Sequence, residues 1–361
     1  MSDRFVSAAR ILQAGVQDRA FPGAAVEVGR HDGIVWRHGF GRHSYEPDAE
    51  PVRLDTIFDL ASLTKVVATT TAIVRLVEAG QLVLATPVRE LIPDWTGADR
   101  AHVTVRHLLD HSSGLTAWLP LFRDCEGRRE FEHAIATLPL EYEPGTRSVY
   151  SDLGFILLAF IIEDIVAKPL RACFGEIASR LFLSQDQSAE DVLLFNPPVD
   201  LRSRIAPTEV DSWRGRLLRG EVHDENAWAL GGAAGHAGLF GSAPALGRFA
   251  RAWLRAWRGL DDWPATPELV RDFTARGGTP GSSRALGWDT MLPSSSCGHL
   301  MSRLAFGHTG FTGASLWIDP EAGLYVVLLT NRVHPTRENE RITPLRPAFH
   351  DAVMEALGSP A

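Results

Sequence analysis

The chain has 361 residues, 45% of them hydrophobic, which is enough for one large domain or two interleaved lobes around a substantial core. Its net charge of -8 provides no basic excess, which argues against nucleic acid or an anionic membrane as a partner. The longest apolar run, Leu153 to Ile162, is about half of the ~20 residues that span a bilayer, and no N-terminal stretch is typical of a signal peptide, so we expect a cytoplasmic protein.

The N-terminal part of the chain is predicted to form one helix and two strands. Apolar residues recur at helical spacing from Phe5 to Val16, and Pro22 with Gly23 then ends the amphipathic helix. Strands are predicted over Ala24–Gly29 and Ile34–Phe40, because β-branched and aromatic residues flank an Asp-Gly turn.

The middle of the chain is predicted to be helical, and its C-terminal part returns to strands. Helical patterns interrupted by Gly and Pro cover Leu63–Ala79, Pro87–Ile92, Val105–Asp110 and Leu153–Val166. Strand patterns cover Leu304–His308, Gly313–Ile318 and Leu324–Thr330, and a last helix covers Leu345–Leu357.

This order predicts an α+β fold. The simplest packing places the strands of both chain ends in one antiparallel sheet flanked by helices, with a mostly helical lobe inserted between them. We expect a single catalytic domain over residues 1–361, with an α/β lobe of about 1–75 and 225–361 and a helical lobe of about 76–224.

Lysine is almost absent from the chain: of 36 basic residues only Lys65 and Lys168 are lysines. Arginine stays protonated in proteins, whereas a desolvated lysine can lose its proton and act as a base. Lys65 lies in an apolar segment, so its presence calls for a chemical explanation. Lys168, between Ala and Pro at a predicted helix end, has the character of a surface residue.

Ser62 and Lys65 form a Ser-Leu-Thr-Lys motif at the start of a helix that should be buried. The N-terminus of a helix stabilises developing negative charge, and Lys65, one turn on, should lie beside the Ser62 hydroxyl. Burial there makes Lys65 a candidate base. The structural alternative is that Ser62 only caps the helix while Lys65 extends to the surface.

Two further motifs are candidates for the same site. Tyr150 and Asp152 lie in a loop that enters an apolar helix, although Asp152 could simply be its N-cap and Tyr150 could be packing. His308 closes a predicted strand that Phe311 continues, and Gly310 would let a substrate approach the backbone, although a single histidine is more often structural.

Taken together, Ser62-x-x-Lys65, Tyr150-Ser151-Asp152 and His308-Thr309-Gly310 resemble the signature of the serine β-lactamase and penicillin-binding-protein superfamily. The variant is similar to the class C branch, which includes AmpC-type β-lactamases, DD-peptidases and related esterases. Residues 107–115 and 232–240 are also similar to segments of that branch, and the resemblance runs from about Phe21 to the last helix.

The resemblance implies an acyl-enzyme mechanism on a β-lactamase/transpeptidase-like fold. Ser62 would attack an acyl carbon, and Lys65 and Tyr150 would share the tasks of general base and proton donor, with the choice of base left open. The backbone N–H groups of Ser62 and Phe311 would form the oxyanion hole. No cofactor or metal is implied.

The resemblance also assigns substrate binding to Asp152, His308, Thr309 and Gly310. Many antibiotic-hydrolysing members have Asn in place of Asp152 and Lys in place of His308, so donor and positive character are reduced. We therefore expect a carboxylesterase or amidase that prefers uncharged esters to β-lactams. A carboxylate clamp by Arg332 and Arg337, after the last strand, stays open.

The expected partner is a small ester, amide or β-lactam, and the expected state is a monomer or small homo-oligomer. The alternatives are a DD-carboxypeptidase or class C β-lactamase with the same residues, and a non-catalytic binding protein on the same fold. Other hydrolase classes are disfavoured, because the chain has no Gly-x-Ser-x-Gly. Metal ligands would have to come from residues without compact spacing, namely His223, Asp224 and His236. The three cysteines predict neither a disulfide framework nor a zinc site.

Overall fold

The computed structural model describes residues 3–182 and 190–358 of the chain. The strands of this part are β1 (Gly23–Arg30), β2 (Gly33–Gly41), β3 (Phe58–Asp59), β4 (Leu193–Phe195), β5 (Val210–Asp211), β6 (Arg216–Leu217), β7 (Leu239–Gly241), β8 (Asp289–Thr290), β9 (Phe306–Thr309), β10 (Ser315–Asp319) and β11 (Leu324–Thr330). The α-helices are α1 (Val6–Gln17), α2 (Thr71–Glu78), α3 (Val105–Leu109), α4 (Gly127–Thr137), α5 (Asp152–Val166), α6 (Leu170–Leu181), α7 (Glu225–Ala229), α8 (Ala243–Trp257), α9 (Pro267–Thr274) and α10 (Ile342–Leu357). A π-helical segment, Lys65–Thr70, leads into α2.

The main sheet is antiparallel, with six strands in the order β2-β1-β11-β10-β9-β8. Its centre joins the two ends of the chain, because Val26 of β1 lies opposite Leu328 of β11. Strand β11 is buried along its whole length, which explains why its sequence is a continuous apolar run without alternation. The predicted α+β fold, with one sheet built from both chain ends, is confirmed.

Helices cover both faces of this sheet. Helices α1 and α10 share one buried cluster with Trp36 of β2, and Phe5 stacks on that indole ring with ring centroids 4.9 Å apart. Helix α8 lies on the other face, where Trp253 belongs to a larger cluster that also contains the π-helical segment and α5. Residues 153–162 of α5 are apolar and buried on every side, which is typical of a helix segment enclosed by the core.

A second sheet, in the order β3-β7-β4, leads the chain to the Ser-Leu-Thr-Lys motif. Strand β3 ends at Asp59, three residues before Ser62, and the π-helical segment begins three residues after it. Helices α3 to α6 occupy the part of the chain predicted as an inserted helical lobe. The lobe boundaries given above stay a prediction.

Of two local predictions about the site segments, one was wrong. The strand that ends at Thr309 does not continue, because Phe311 lies in a turn in which the Gly310 N–H donates to the Ala314 carbonyl and Gly313 has a φ of 108°. The helix predicted after Ser62 is present, and from Lys65 to Thr70 it is π-helical, a form that occurs frequently at functional sites.

None of the described helices is long and apolar enough to cross a membrane. All three cysteines are free thiols: Cys297 is buried, and the other two are half-buried.

Candidate active site

Ser62 lies in a tight turn that is fixed by a buried carboxylate. Asp59 accepts hydrogen bonds from the Ala61 N–H (2.8 Å) and the His223 N–H (2.7 Å), and its carbonyl accepts one from the Thr312 hydroxyl (2.7 Å). Ala61 has a φ of 46°, a left-handed conformation that costs energy in a residue with a Cβ. One residue therefore holds together the Ser62 turn, the β9–β10 turn and the segment before α7.

Lys65 is buried directly beside Ser62. Its Nζ lies 3.1 Å from the Ser62 Oγ, 2.6 Å from an Asp152 carboxylate oxygen and 3.1 Å from the His236 carbonyl, and its side chain has no exposed surface. The spacing argument for a Ser62–Lys65 contact is borne out. The alternative in which Lys65 reaches the surface is wrong.

Tyr150 and Asp152 approach the same point from the start of α5. Ser151 is the N-cap of this helix, because its hydroxyl accepts the Gly154 N–H at 3.4 Å. The interpretation of Asp152 as the N-cap is therefore wrong, and its carboxylate is directed to Lys65 instead. The Tyr150 hydroxyl is buried and makes no hydrogen bond of good geometry to a described residue.

The charges of this cluster depend on Asp152. Burial by itself would lower the pKa of Lys65, but the Asp152 carboxylate and Tyr150 outweigh it and leave that pKa raised. Burial raises the pKa of Tyr150, and Asp152 adds to the effect while Lys65 opposes it. Lys65 is thus an ammonium and Tyr150 a neutral phenol. Burial is therefore not what decides the charge of Lys65, and its role as candidate base stays a prediction.

His308 lies beyond Tyr150, with ring centroids 5.7 Å apart. Burial, Arg284 and Lys65 hold its pKa well below the ordinary range, so the ring is neutral. Its Nδ1 lies 2.8 Å from the Thr309 carbonyl, which can only accept, so Nδ1 carries the proton and Nε2 faces the Arg284 guanidinium at 3.5 Å. His308 therefore adds no positive charge to the site.

The turn after β9 brings Phe311 to Ser62. A Cβ on Gly310 would lie 2.5 Å from the Leu60 carbonyl. Glycine at this position therefore permits the close approach of the segment before Ser62, in addition to any approach of a substrate. Neither the Ser62 N–H nor the Phe311 N–H donates a hydrogen bond within the described residues. Ser62 and Phe311 line the same two cavities, so these two N–H groups are the candidates for an oxyanion hole.

Two cavities meet at Ser62. The first has a volume of about 490 Å³ and contains three arginines, Arg284, Arg332 and Arg346, against one carboxylate, Glu340. The Nε of Arg346 is buried without a hydrogen-bond partner, and no carboxylate among the described residues pairs with Arg346 or Arg284. This side of the cleft is cationic.

The second cavity, of about 330 Å³, lies on the Asp152 side. Its rim carries two exposed aromatic side chains, Trp118 and Phe311, and its wall carries Asp224 and Glu225. Each of these carboxylates is paired, Asp224 with His236 at 2.8 Å and Glu225 with Arg337 at 2.8 Å. The two sides of Ser62 thus differ strongly in charge.

The family model described as Beta-lactamase matches residues 8–348. The chain belongs to the Beta-lactamase family. A relative from Salmonella agona (strain SL483), named "Putative D-alanyl-D-alanine carboxypeptidase", is 30% identical over 91% of this chain and 82% of its own length, and one from Salmonella typhi matches to the same extent. The chain is a serine hydrolase of this family.

Solved structures share the Beta-lactamase-family fold over nearly the whole chain. EstCE1, described as a hydrolase with promiscuous acyltransferase activity, has a TM-score of 0.76 at 21% identity, covering 97% of this chain and 98% of its own. A class C beta lactamase from Rhodobacter sphaeroides has a TM-score of 0.75 at 21% identity, covering 98% of this chain and 99% of its own. At these identities the likeness shows the fold alone.

Several predicted candidates have other roles in this Beta-lactamase-family structure. Arg332 donates to the carbonyls of Phe311 (2.7 Å), Arg337 and Asn339, so it supports the turn that carries a free N–H. Arg337 is paired with Glu209 and Glu225, which leaves no clamp formed by Arg332 and Arg337 together.

The residues of the metallohydrolase hypothesis do not form one cluster of ligands. His236 pairs with Asp224, whereas His223 pairs with Glu209 at 2.9 Å. Within residues 3–182 and 190–358, no group of three His, Cys, Asp or Glu side chains is arranged to hold a metal ion.

Sequence reasoning missed Arg284 and Arg346. Arg284 lies in the loop after α9, with its guanidinium 4.8 Å from the centre of the Tyr150 ring, and Arg346 lies in α10. The chain contains 34 arginines, so neither stood out. The position of α10 against the sheet, where His350 lies 3.5 Å from Ser315 of β10, could have been inferred only from the assembled fold.

Proposed function

We propose that this serine hydrolase acts through an acyl-enzyme on Ser62. The observation that carries the proposal is the buried Lys65 ammonium 3.1 Å from the Ser62 Oγ, next to Tyr150 and to the free N–H groups of Ser62 and Phe311. A hydroxyl beside a Lys–Tyr pair, which becomes a proton acceptor once it has lost a proton, together with two oxyanion donors, has the parts that acyl transfer requires.

In the proposed reaction, the reactive enzyme has first lost one proton from the Lys65–Tyr150 pair to solvent, so that Tyr150 is a phenolate beside the Lys65 ammonium. The phenolate takes the Ser62 proton as Oγ bonds to the acyl carbon. The carbonyl electron pair moves onto oxygen, where the N–H groups of Ser62 and Phe311 stabilise the oxyanion. Collapse of the tetrahedral intermediate expels the leaving group, which takes the proton from Tyr150. A water molecule then repeats the sequence in reverse, with Tyr150 as its base, and releases the acid.

The charge of the first cavity supports a substrate that carries a carboxylate on the leaving-group side, as a carboxypeptidase substrate does. Charge-assisted hydrogen bonds from arginine to a carboxylate are among the strongest that proteins make. The expectation of uncharged esters considered only His308 and Asp152, and it did not include Arg284 and Arg346, which restore positive charge beside His308. The curated relatives named for D-alanyl-D-alanine carboxypeptidase activity agree with this substrate class.

Weak action on β-lactams is still proposed. A β-lactam side-chain amide presents a carbonyl toward the residue at position 152, and the Asp152 carboxylate, which is occupied by Lys65, cannot donate to it. The acyl side of the cleft would favour groups that fit between Trp118 and Phe311.

The test uses a thioester of hippuric acid with thioglycolate, which has a carboxylate in its leaving group, and the methyl ester of the same compound. We expect turnover of the carboxylate form with the higher kcat/KM, and loss of at least ~10³-fold in Ser62→Ala. The chain offers a matched control, because Lys65→Arg should lose activity while Lys168→Arg, at the only other lysine, should not.

Other outcomes point to the alternatives. Higher turnover of the methyl ester, lost in Ser62→Ala, would favour the carboxylesterase expected from the sequence. No turnover of either substrate, with no mass increase on Ser62 after incubation with either thioester, would favour a non-catalytic binding protein.

A further inference from the structure

Lys65 contacts three oxygen atoms: it forms an ion pair with one carboxylate and donates hydrogen bonds to two neutral oxygens. The Asp152 carboxylate oxygen is the nearest at 2.6 Å, and the other two are the Ser62 hydroxyl and the His236 carbonyl. An ammonium has three hydrogens to donate, and neither a carboxylate nor a carbonyl can donate in return. This arrangement matches the protonated state of Lys65.

The groups that face Lys65 from the other elements do not cancel this preference. They are Asp152 in α5, Tyr150 before α5, Asp224 before α7, His111 after α3, His308 in β9 and the more distant Arg284. His111 and His308 are both buried, and their pKa values lie well below the ordinary range, so they are neutral. Asp152 is the only carboxylate among the described residues in direct contact with Lys65.

We propose that Asp152 is a positioning residue whose carboxylate keeps Lys65 protonated and thereby delays ionisation of Ser62 until the pH is alkaline. The inference rests on the proposed acyl-enzyme function. It concerns the one charged group that distinguishes this Tyr-Ser-Asp motif from the Tyr-x-Asn form expected in its antibiotic-hydrolysing relatives. Asp152 acts through Lys65 and Tyr150 and need not touch the reacting atoms.

The effect has the same direction through either candidate base. The Asp152 charge stabilises the ammonium of Lys65, which cannot accept a proton, and it opposes formation of a phenolate on Tyr150. Removing the charge should therefore make a base available at lower pH, whichever group receives the Ser62 proton.

The first experiment measures the pH dependence of Ser62 labelling by a fluorescent fluorophosphonate in the wild type, Asp152→Asn and Asp152→Glu. In Asp152→Asn we expect the pH midpoint of the labelling rate to fall by at least ~1 pH unit. At a pH below both midpoints, the labelling rate as a fraction of its alkaline maximum should then be about tenfold higher than in the wild type. Asp152→Glu keeps the charge and should stay near the wild-type midpoint. An unchanged midpoint in a folded Asp152→Asn variant would overturn the proposal.

A second experiment does not depend on activity or on the stability of the variant. Removal of one partner of a buried ion pair costs about 3–5 kcal/mol, so Asp152→Asn could fail to fold. The chain has only two lysines, so labelling with ¹³C,¹⁵N-lysine gives two side-chain NMR signals, which Lys168→Arg assigns. We expect the Lys65 signal of the wild type to remain that of an ammonium at about pH 8, and a neutral amine at that pH would refute the role of Asp152.

The two experiments separate this inference from the proposed function. If Ser62→Ala still binds the fluorophosphonate, the acyl-enzyme proposal fails whatever the state of Lys65. If labelling requires Ser62 but the Lys65 signal is that of an amine, the function stands and the role of Asp152 fails.

Discussion

Replacing Arg346 by glutamine should weaken recognition of carboxylate substrates and at the same time stabilise the fold. Burial, with a contribution from Arg332, lowers the pKa of the Arg346 guanidinium from 12.5 to about 10. One pH unit corresponds to about 1.4 kcal/mol, so the folded state holds this charge at a cost of about 3 kcal/mol. At neutral pH the group is charged in both the folded and unfolded states, so the full cost is present.

Glutamine has no charge to desolvate but retains a polar amide, so we expect the free energy of unfolding of Arg346→Gln to rise by about 1–3 kcal/mol. Loss of a charged hydrogen bond to the substrate, worth about 1.5–3 kcal/mol, should raise KM for the carboxylate thioester by roughly 10- to 100-fold. KM for its methyl ester should change little, because that substrate has no charge to bind.

The assay combines urea denaturation at neutral pH with steady-state kinetics on the two thioesters. Arg303→Gln is the control, because Arg303 is exposed and lies outside both cavities that meet at Ser62. Destabilisation by Arg346→Gln, together with equal losses on both substrates, would refute the reasoning. That result would mean that Arg346 stabilises the fold and does not bind the substrate carboxylate.

Two further predictions concern acid stability and the turn beside Ser62. Burial alone would raise the pKa of Glu209, but hydrogen bonds from a histidine and an arginine lower it to about 2. The ionised Glu209 therefore stabilises the fold above its ordinary pKa of 4.5, and this stabilisation is lost as the pH falls toward 2. Glu209→Gln should therefore reduce the acid-induced fall in the free energy of unfolding by about 1–2 kcal/mol, and a pH profile parallel to the wild type would contradict this. Gly310→Ala would place a Cβ 2.5 Å from the Leu60 carbonyl and should lower kcat at least ~10-fold. The control is Gly33→Ala, which should leave kcat unchanged because a Cβ there has no neighbour within 4 Å. Equal kcat values for the two variants would show that the turn adapts to the added Cβ.

The sequence allowed good predictions wherever the signal was local. The contact between Ser62 and Lys65 follows from helical spacing, and the β1–β2 hairpin follows from Asp32 and Gly33 between apolar runs. The run Leu324–Thr330 was correctly predicted as a strand, with the bounds that β11 has in the structure. In each case a few neighbouring residues contain the physical cause.

Predictions failed where a shift of one residue along the chain changes the role of a side chain, or where segments distant in sequence meet. Ser151 and Asp152 are both good capping residues, and only the structure shows that Ser151 is the cap and Asp152 faces Lys65. Arg284 and Arg346 reach one cavity from a loop and from the last helix, and no local pattern encodes that meeting. The charge of the cleft, and hence the preferred substrate, depends on such contacts.

The bonds made by Asp59 have a consequence for sequence divergence. Its two side-chain oxygens accept main-chain N–H groups, at positions 61 and 223, and every residue except proline supplies an N–H. The bonds to Asp59 therefore place no restriction on the side chains at those two positions, provided that position 61 tolerates its left-handed backbone. Change at Asp59 itself would disturb three segments at once. A search for remote relatives with the same site geometry would do better to require this carboxylate than to require the residues on either side of it.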